Sequence, residues 1–421
     1  MNSDYFNLTW LAPGPNASQS QRLQQEMNNI GVGDFASRYM SNKGDFYVLR
    51  AENLRAAAAN ILKQEFLSKG ADAAVHSQVI LNRPERSSVL MMATAAQYAR
   101  ICLGLRRQQF DLPILAGEIA QALVNIRREV WDLPLSSVKG RSLHLSTDTQ
   151  IMGILNLTPD SFSDGGSYAD EEQAVARALQ MQKEGAYIID VGGESTRPGH
   201  QQISADEEIS RVVPVIQRLR AESDVLISID TYKAPVAAAA LAAGADIIND
   251  IWGLQYPEDN EHQMAALAAA QGCPVIVMHN RIVQQCKNKE DEPAMAQELP
   301  RFFRQARRIA RAASMKDEQL ILDIGFGFGK NAEQNMQALT QTSALRVLGR
   351  PILIAASRKS TLGLLTGKPV EQRLLATAAT TAAAALAGAA LVRVHDVAEA
   401  ADVLAVCRPM YQINCGQNLN S

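Results

Sequence analysis

Beyond residue 150 the chain alternates short apolar runs with amphipathic stretches. The apolar runs fall at 151–157, 187–191, 225–229, 246–249, 274–278, 320–324, 351–355 and 390–394. Short and nearly continuous, they read as strands buried on both faces. Between them, residues 165–183, 235–243, 264–271, 299–313, 332–339 and 373–386 carry apolar side chains at helical spacing. A further helix opens on the capping pair Ser204 and Glu207. Strands that alternate with helices imply parallel crossovers. Eight such units predict a closed (β/α)8 TIM barrel, a fold of about 250 residues. An open doubly wound sheet is the rival architecture, but its Gly-x-Gly-x-x-Gly turn does not follow the first strand.

The first 150 residues follow another pattern. Residues 1–46 are polar and irregular, broken at Pro13-Gly14-Pro15 and Gly31-Val32-Gly33. Residues 54–66, 95–105 and 117–130 read as helices and 87–92 as a strand. The expectation is a small N-terminal α/β unit over 1–148, the barrel over 149–412 and a polar tail over 413–421, with 131–146 serving as a linker. The basic residues of the first unit (Arg100, Arg106, Arg107, Arg127, Arg128) read as solvated helix faces. So does the stripe Arg301, Arg304, Arg308, Arg311 on a barrel helix.

Composition narrows the function classes. The chain has 421 residues, is 47% hydrophobic and 20% charged, which is a globular composition with ample core. A formal charge of −3 gives no reason to expect nucleic acid, which usually needs a clustered basic surface. The five cysteines are scattered and form no C-x-x-C pair, which speaks against a disulfide framework or a zinc site and fits a reducing cytoplasm. The N-terminus lacks a signal-peptide profile. The Ala/Thr-rich run 376–392 is too weakly apolar to span a membrane. A cytoplasmic protein with no membrane partner is expected.

A barrel gathers the C-terminal ends of all its strands around one mouth. Here those ends are Asn156, Asp190 to Pro198, Asp230, Asn249, Met278-His279, Asp323, Ser357 to Ser360, and Arg393 with His395. Each such polar group costs about 1–3 kcal/mol if buried unpaired, so their convergence points to a ligand. Arg393 and His395 alternate on one strand and share a side. With Asn156 and Thr158 they make a candidate anion site; the competing reading pairs Arg393 with Asp396 and lets His395 fill a core gap. Asp230, Asn249, Asp323 and Lys359 suit a flat heterocycle with an amino-imine edge, against a structural ion pair such as Asp323 with Lys359. The run Gly325-Phe326-Gly327-Phe328-Gly329-Lys330 lacks the Walker spacing and reads as a turn that lets the chain approach a flat ligand. His279 has no metal-ligand partner at suitable spacing and reads as a wall residue.

These residues carry a resemblance. Met152 to Gly166, Asp190 to Gly199, Ser228 to Thr231, Ile247 to Asp250, Asp323 to Lys330, Ser357 to Ser360 and Arg393 to Asp396 stand in the order and at the strand ends found in dihydropteroate synthases. Residues 150–410 are similar to that family of pterin-binding barrels; residues 1–148 fall outside the resemblance. The resemblance implies condensation of 6-hydroxymethyl-7,8-dihydropterin pyrophosphate with p-aminobenzoate, giving 7,8-dihydropteroate and pyrophosphate by a dissociative substitution. It implies a pterin subsite of Asp230, Asn249, Met278, Asp323, Phe328 and Lys359, and a pyrophosphate subsite of Asn156, Arg393 and His395, with Mg²⁺ bound through Asn156. It implies a p-aminobenzoate pocket of Ser195, Thr196, Arg197, Pro198 and Ser360. Asp190 would support the loop base. A homodimer through the later barrel helices and sensitivity to sulfonamides are further implications. Ile324, Ala355-Ala356 and Asn280-Arg281 depart from the family pattern without removing a proposed ligand. Two alternatives remain: a methyltetrahydrofolate–corrinoid methyltransferase, and a non-catalytic pterin-binding subunit.

Overall fold

The structure, a computed structural model, describes residues 5–10, 19–135, 142–157, 168–195, 202–281 and 294–414. Its first part is a four-stranded antiparallel sheet in the order β1-β2-β4-β3, built from β1 (Thr9–Trp10), β2 (Phe46–Arg55), β3 (Asp72–Ala74) and β4 (Arg86–Thr94). Five helices accompany it: α1 (Gln19–Asn29), α2 (Asp34–Ser41), α3 (Ala56–Ser68), α4 (Ala95–Leu105) and α5 (Leu112–Ile126). Residues 1–46, expected to be irregular, thus hold two helices and a strand among the described residues. Polar helix faces with few apolar residues hid α1, whose described side chains are half-buried or exposed.

The stretch expected to be a linker is an antiparallel hairpin, β5 (Val130–Pro134) with β6 (Ser142–Ser146). Its apolar side chains Trp131, Leu133, Leu143 and Leu145 all fall on one face, since strand side chains alternate. They bury against the barrel interior at Met152, Ile188, Leu226, Ile276 and Leu391. The hairpin floors the barrel rather than bridging two units.

The barrel closes from eight parallel strands: β7 (Gln150–Asn156), β8 (Ala186–Gly192), β9 (Leu226–Asp230), β10 (Ile247–Asp250), β11 (Val275–Met278), β12 (Leu320–Asp323), β13 (Ile352–Ile354) and β14 (Leu391–Val394), with β14 pairing β7. Around it lie α6 (Tyr168–Lys183), α7 (Ala205–Glu222), α8 (Ala234–Ala243), α9 (Gln263–Gln271), α10 (Met295–Ala312), α11 (Ala332–Thr340), α12 (Ser360–Thr366), α13 (Leu374–Leu386) and α14 (Val397–Asn414). Ser204 caps α7 by accepting from the Glu207 N–H at 3.1 Å. Helix α14 runs to Asn414, past the barrel boundary expected at 412; residues 415–421 of the expected tail lie outside the described residues.

Alternation sorts the strand residues into two cores. Met152, Ile188, Leu226, Ile247, Ile276, Ile321, Leu353 and Leu391 point inward and pack with the hairpin. Their neighbours, such as Ile151, Ile189, Ile227, Ile248, Leu322, Ile354 and Val392, pack outward with the helices.

The arginine stripe of α10 is a solvated face only in part: Arg301 and Arg308 are exposed, Arg311 is half-buried and Arg304 is buried. Arg301 grips Glu52 of β2 with bonds of 2.9 and 2.8 Å. Arg304, 3% exposed, donates to the Leu8 carbonyl, while Arg307 and Arg311 share Asp317. The Leu8 segment of the N-terminal unit docks on Arg304, and no local pattern in α10 signals that contact.

Candidate active site at the barrel mouth

The inward set of strand residues dictates the mouth. Moving two residues toward the C-terminus along each strand keeps the side chain inside the barrel. From Ile188 this step reaches Asp190, from Ile247 Asn249, from Ile276 Met278, from Ile321 Asp323 and from Leu391 Arg393. From Leu226, Met152 and Leu353 two steps reach Asp230, Asn156 and Ser357. The floor is apolar and the mouth polar because the pattern changes toward the C-terminal end of every strand but β11, where Met278 stays apolar.

Arg393 is the electrostatic centre. Its Nε donates to Asp190 Oδ2 at 2.5 Å and its Nη2 to Asp230 Oδ2 at 2.6 Å. Asn249 Nδ2 also donates to Asp190 Oδ2, at 3.1 Å. One guanidinium between two buried carboxylates leaves an excess of negative charge. Burial pushes the Asp230 carboxyl up to about 7, with Arg393 opposing and Asp190 adding to the rise. Burial would lower the Arg393 pKa, but Asp190 and Asp230 hold it above its ordinary value. Asp190 Oδ1, Asp230 Oδ1 and Ser228 Oγ are buried with no hydrogen-bond partner among the described residues. Buried acceptors of this kind suit the N–H groups of a ligand.

Asp323, 3% exposed, accepts from the Gly325 N–H at 2.8 Å through Oδ1. Burial raises its pKa, against the Gly325 bond and the charges of Lys359, Lys330 and Arg393. Lys359 Nζ stands 4.2 Å above the Phe328 ring centroid, so a cation and an aromatic face lie together beside that carboxylate. Met278, 3% exposed, supplies an apolar wall. Asn156 ends β7 opposite Gly192, its Oδ1 near the Asp230 side chain where a Cβ on Gly192 would meet both.

His395 Nδ1 bonds Ser357 Oγ at 2.9 Å. Burial, with Arg393 and Arg358 beside it, pushes the ring down to about 4, so it is neutral at pH 7. Asp396 is taken by Arg358, whose Nε donates at 3.0 Å; the alternative pairing of Arg393 with Asp396 is not formed. Ser360 is exposed at the start of α12. Ser195 is the last described residue of its loop; Thr158, Thr196, Arg197 and Pro198 lie outside the described residues.

Several supporting residues escape a sequence reading. Lys233 Nζ binds Glu194, Glu208 Oε2 at 2.8 Å and the Ile203 carbonyl at 2.7 Å, while Tyr232 Oη donates to Glu194 at 3.2 Å. The base of the Ser195 loop is thereby tied to β9 and α7. Only the adjacency of Tyr232-Lys233 to Asp230 could have hinted at it. His279 is fully buried, edge-on to Phe302 at 4.8 Å and 3.2 Å from Glu298. Burial holds its ring at about 4. It is a wall residue behind the mouth.

Among the described residues no group of three or more His, Cys, Asp or Glu could hold a metal. Mg²⁺ keeps most of its coordination for water and phosphate oxygens, so one carboxamide oxygen such as Asn156 Oδ1 fits an ion that arrives with a diphosphate. No helix among the described residues is long and apolar enough to cross a membrane.

Residues 152–395 match the family model of pterin binding enzymes. A dihydropteroate synthase of Clostridium beijerinckii is 46% identical over 263 residues, covering 62% of this chain and 94% of that protein. A probable bifunctional folylpolyglutamate synthase/dihydropteroate synthase of Haloferax volcanii is 41% identical over 385 residues; this covers 89% of the present chain, reaching into its first 148 residues, and 45% of that protein. The crystal structure of a Clostridium difficile dihydropteroate synthase in the presence of pteroic acid superposes with a TM-score of 0.58 at 43% identity, over 62% of this chain and 97% of that one.

Proposed function

This chain belongs to the pterin-binding enzyme family, and from that membership and the charges at its mouth we infer that it condenses 6-hydroxymethyl-7,8-dihydropterin pyrophosphate with p-aminobenzoate. It is a transferase of folate biosynthesis with the dihydropteroate synthase activity. The observation that carries the reading is the set of buried, inward carboxylates Asp190, Asp230 and Asp323 around one arginine.

In this reading Asp323 accepts from the amino-imine edge of the pterin, Asp230 and Asn249 hold the other ring nitrogens, and Met278 and Phe328 flank the ring plane. Lys359 donates to the ring oxygen and nitrogen. The C–O bond at the pterin methylene breaks, with its electron pair leaving on pyrophosphate. The nearby carboxylates stabilise the cation left behind. The neutral amine of p-aminobenzoate then forms the C–N bond and loses a proton to solvent. Because that amine is weakly basic, no strong general base is needed.

Asn156, Arg393 and His395 bind the leaving group. Arg393 is already engaged by two carboxylates, so it turns toward phosphate only as the pterin takes over part of their hydrogen bonding. Asn156 would hold Mg²⁺ there, and the ion would supply charge neutralisation to the leaving group. Ser195, Thr196, Arg197, Pro198 and Ser360 form the p-aminobenzoate pocket, where a sulfonamide would compete. Exposed Leu364, Leu365, Val406, Met410 and Ile413 on α12 and α14 support a homodimer through this side of the barrel. The absence of a spanning helix among the described residues and the buried free cysteines Cys102, Cys273 and Cys407 fit a cytoplasmic setting.

The pterin assignment is tested by Asp323→Asn. It should raise KM for the pterin substrate by about 100-fold, equivalent to ~3 kcal/mol for a lost charge-assisted bond, with KM for p-aminobenzoate changed little. Equal effects on both constants would remove Asp323 from the pterin subsite.

A further inference from the structure

The glycine-rich run after β12 does something other than make room for a ligand. Its chain bends back on its own lysine. Lys330 Nζ donates to three backbone carbonyls: Gly325 at 2.8 Å, His279 at 3.1 Å and Phe328 at 3.2 Å. Two belong to the loop after β12 and the third to the chain leaving β11. An ammonium has three donors and no acceptor, so the cradle uses all of them. The fit is tight: a Cβ on Gly325, whose φ is +63°, would stand 1.9 Å from the His279 carbonyl oxygen. Asn335 of α11 closes the far side, accepting from the Gly327 N–H at 2.7 Å and donating to the Lys330 carbonyl at 3.1 Å.

Each tethered carbonyl belongs to a segment that carries a proposed pterin contact. Phe328 lies beneath Lys359, Gly325 binds Asp323, and His279 follows Met278. We propose that Lys330 is a positioning residue for the pterin subsite: its ammonium locks the loops after β11 and β12 together and so sets Asp323, Phe328 and Met278 for the ring. The assignment rests on the pterin reading given above. Lys330 does not itself touch the substrate.

The charged state matters to this lock. A neutral amine keeps two donors and turns a lone pair toward a carbonyl oxygen. Burial pushes Lys330 down to about 7, with Asp323 and Glu298 of α10 opposing and Arg281 and Lys359 adding to the fall; His279 beside it is neutral at that pH. A lysine so poised loses its proton within the working range of most enzymes.

The test compares the full-length protein with Lys330→Met and Lys330→Arg, measuring calorimetric affinity for free 6-hydroxymethylpterin and the KM for p-aminobenzoate between pH 6 and 9. Lys330→Met should weaken pterin binding about tenfold at pH 6.5 and leave the p-aminobenzoate KM within about twofold, and Lys330→Arg should recover part of the loss. Wild-type pterin affinity should fall more steeply than that of Lys330→Met as pH rises through 7, the titration of Asp230 near that pH being common to both proteins. Gly325→Ala, which forces the two loops apart while keeping the lysine, serves as the second variant if the methionine does not fold, and should show the same pterin-selective loss. A folded Lys330→Met with wild-type pterin affinity and pH profile, or one altered only in thermal stability, overturns the proposal. Pterin binding that depends on Lys330 in a protein that makes no dihydropteroate would sustain this role and overturn the catalytic reading instead.

Discussion

At the scale of single residues, the mouth is governed by how few cations serve how many buried acids. Arg393 neutralises Asp190 and Asp230 together, so neither carboxylate is fully paired and both favour a ligand rich in N–H donors. His395 reports the same field from the other side. Its ring sits between Arg393 and Arg358 and, with burial, is held at about 4. The unfolded chain takes up that proton near pH 6.5, whereas the folded one refuses it until about 4. Stability present above pH 6.5 is therefore lost as pH falls through this window. The excess unfolding free energy of wild type over His395→Asn should shrink by up to about 3 kcal/mol between pH 7 and pH 4. Urea titrations of both proteins at several pH values measure it, and a constant difference would mean the ring is not held neutral.

At the scale of elements, the hairpin of β5 and β6 is what closes the barrel's lower end. Trp131 is 5% exposed, packs among the inward strand residues and donates from Nε1 to the Gly349 carbonyl at 3.0 Å. Trp131→Ala should cost about 3–5 kcal/mol by leaving a cavity at the floor, seen as a lowered urea midpoint, with substrate KM values unchanged because the mouth is at the opposite end. A loss of pterin affinity at unchanged stability would contradict this division. The hairpin also shows where reading the chain fell short. Its alternation at Trp131, Leu133, Leu143 and Leu145 was present, but the polar segment between the strands masked it as a linker. The eight barrel strands were legible because each is an apolar run buried on both faces, and the mouth was legible because polar residues interrupt those runs at the same end. Burial of Arg304 was not legible, since a charged helix stripe turns interior only when a distant segment docks on it. The Lys330 cradle was hidden for a related reason: its three carbonyls come from two loops 46 residues apart along the chain at His279 and Gly325.

At the scale of the whole molecule, two surfaces remain distinct. The N-terminal unit seats on α10 through Glu52 with Arg301 and the Leu8 carbonyl with Arg304, and its helix α5 meets the segment before β13 through Asn125, which donates to the Val347 carbonyl at 2.9 Å. On another side, α12 and α14 expose leucine, valine, methionine and isoleucine side chains. Light scattering after gel filtration should give twice the chain mass for wild type, and Val406→Glu with Met410→Glu should give the monomer. A wild-type monomer at micromolar concentration would refute the dimer.

In this reading the barrel mouth joins a pterin to p-aminobenzoate. The most direct test supplies the pterin pyrophosphate, p-aminobenzoate and Mg²⁺ and follows products by mass spectrometry, with parallel reactions lacking Mg²⁺ or containing a sulfonamide. Dihydropteroate and pyrophosphate should appear in equal amounts, lost without Mg²⁺ and suppressed competitively by the sulfonamide. Bound pterin with no dihydropteroate formed, or methyl transfer from methyltetrahydrofolate to a corrinoid in its place, would contradict it.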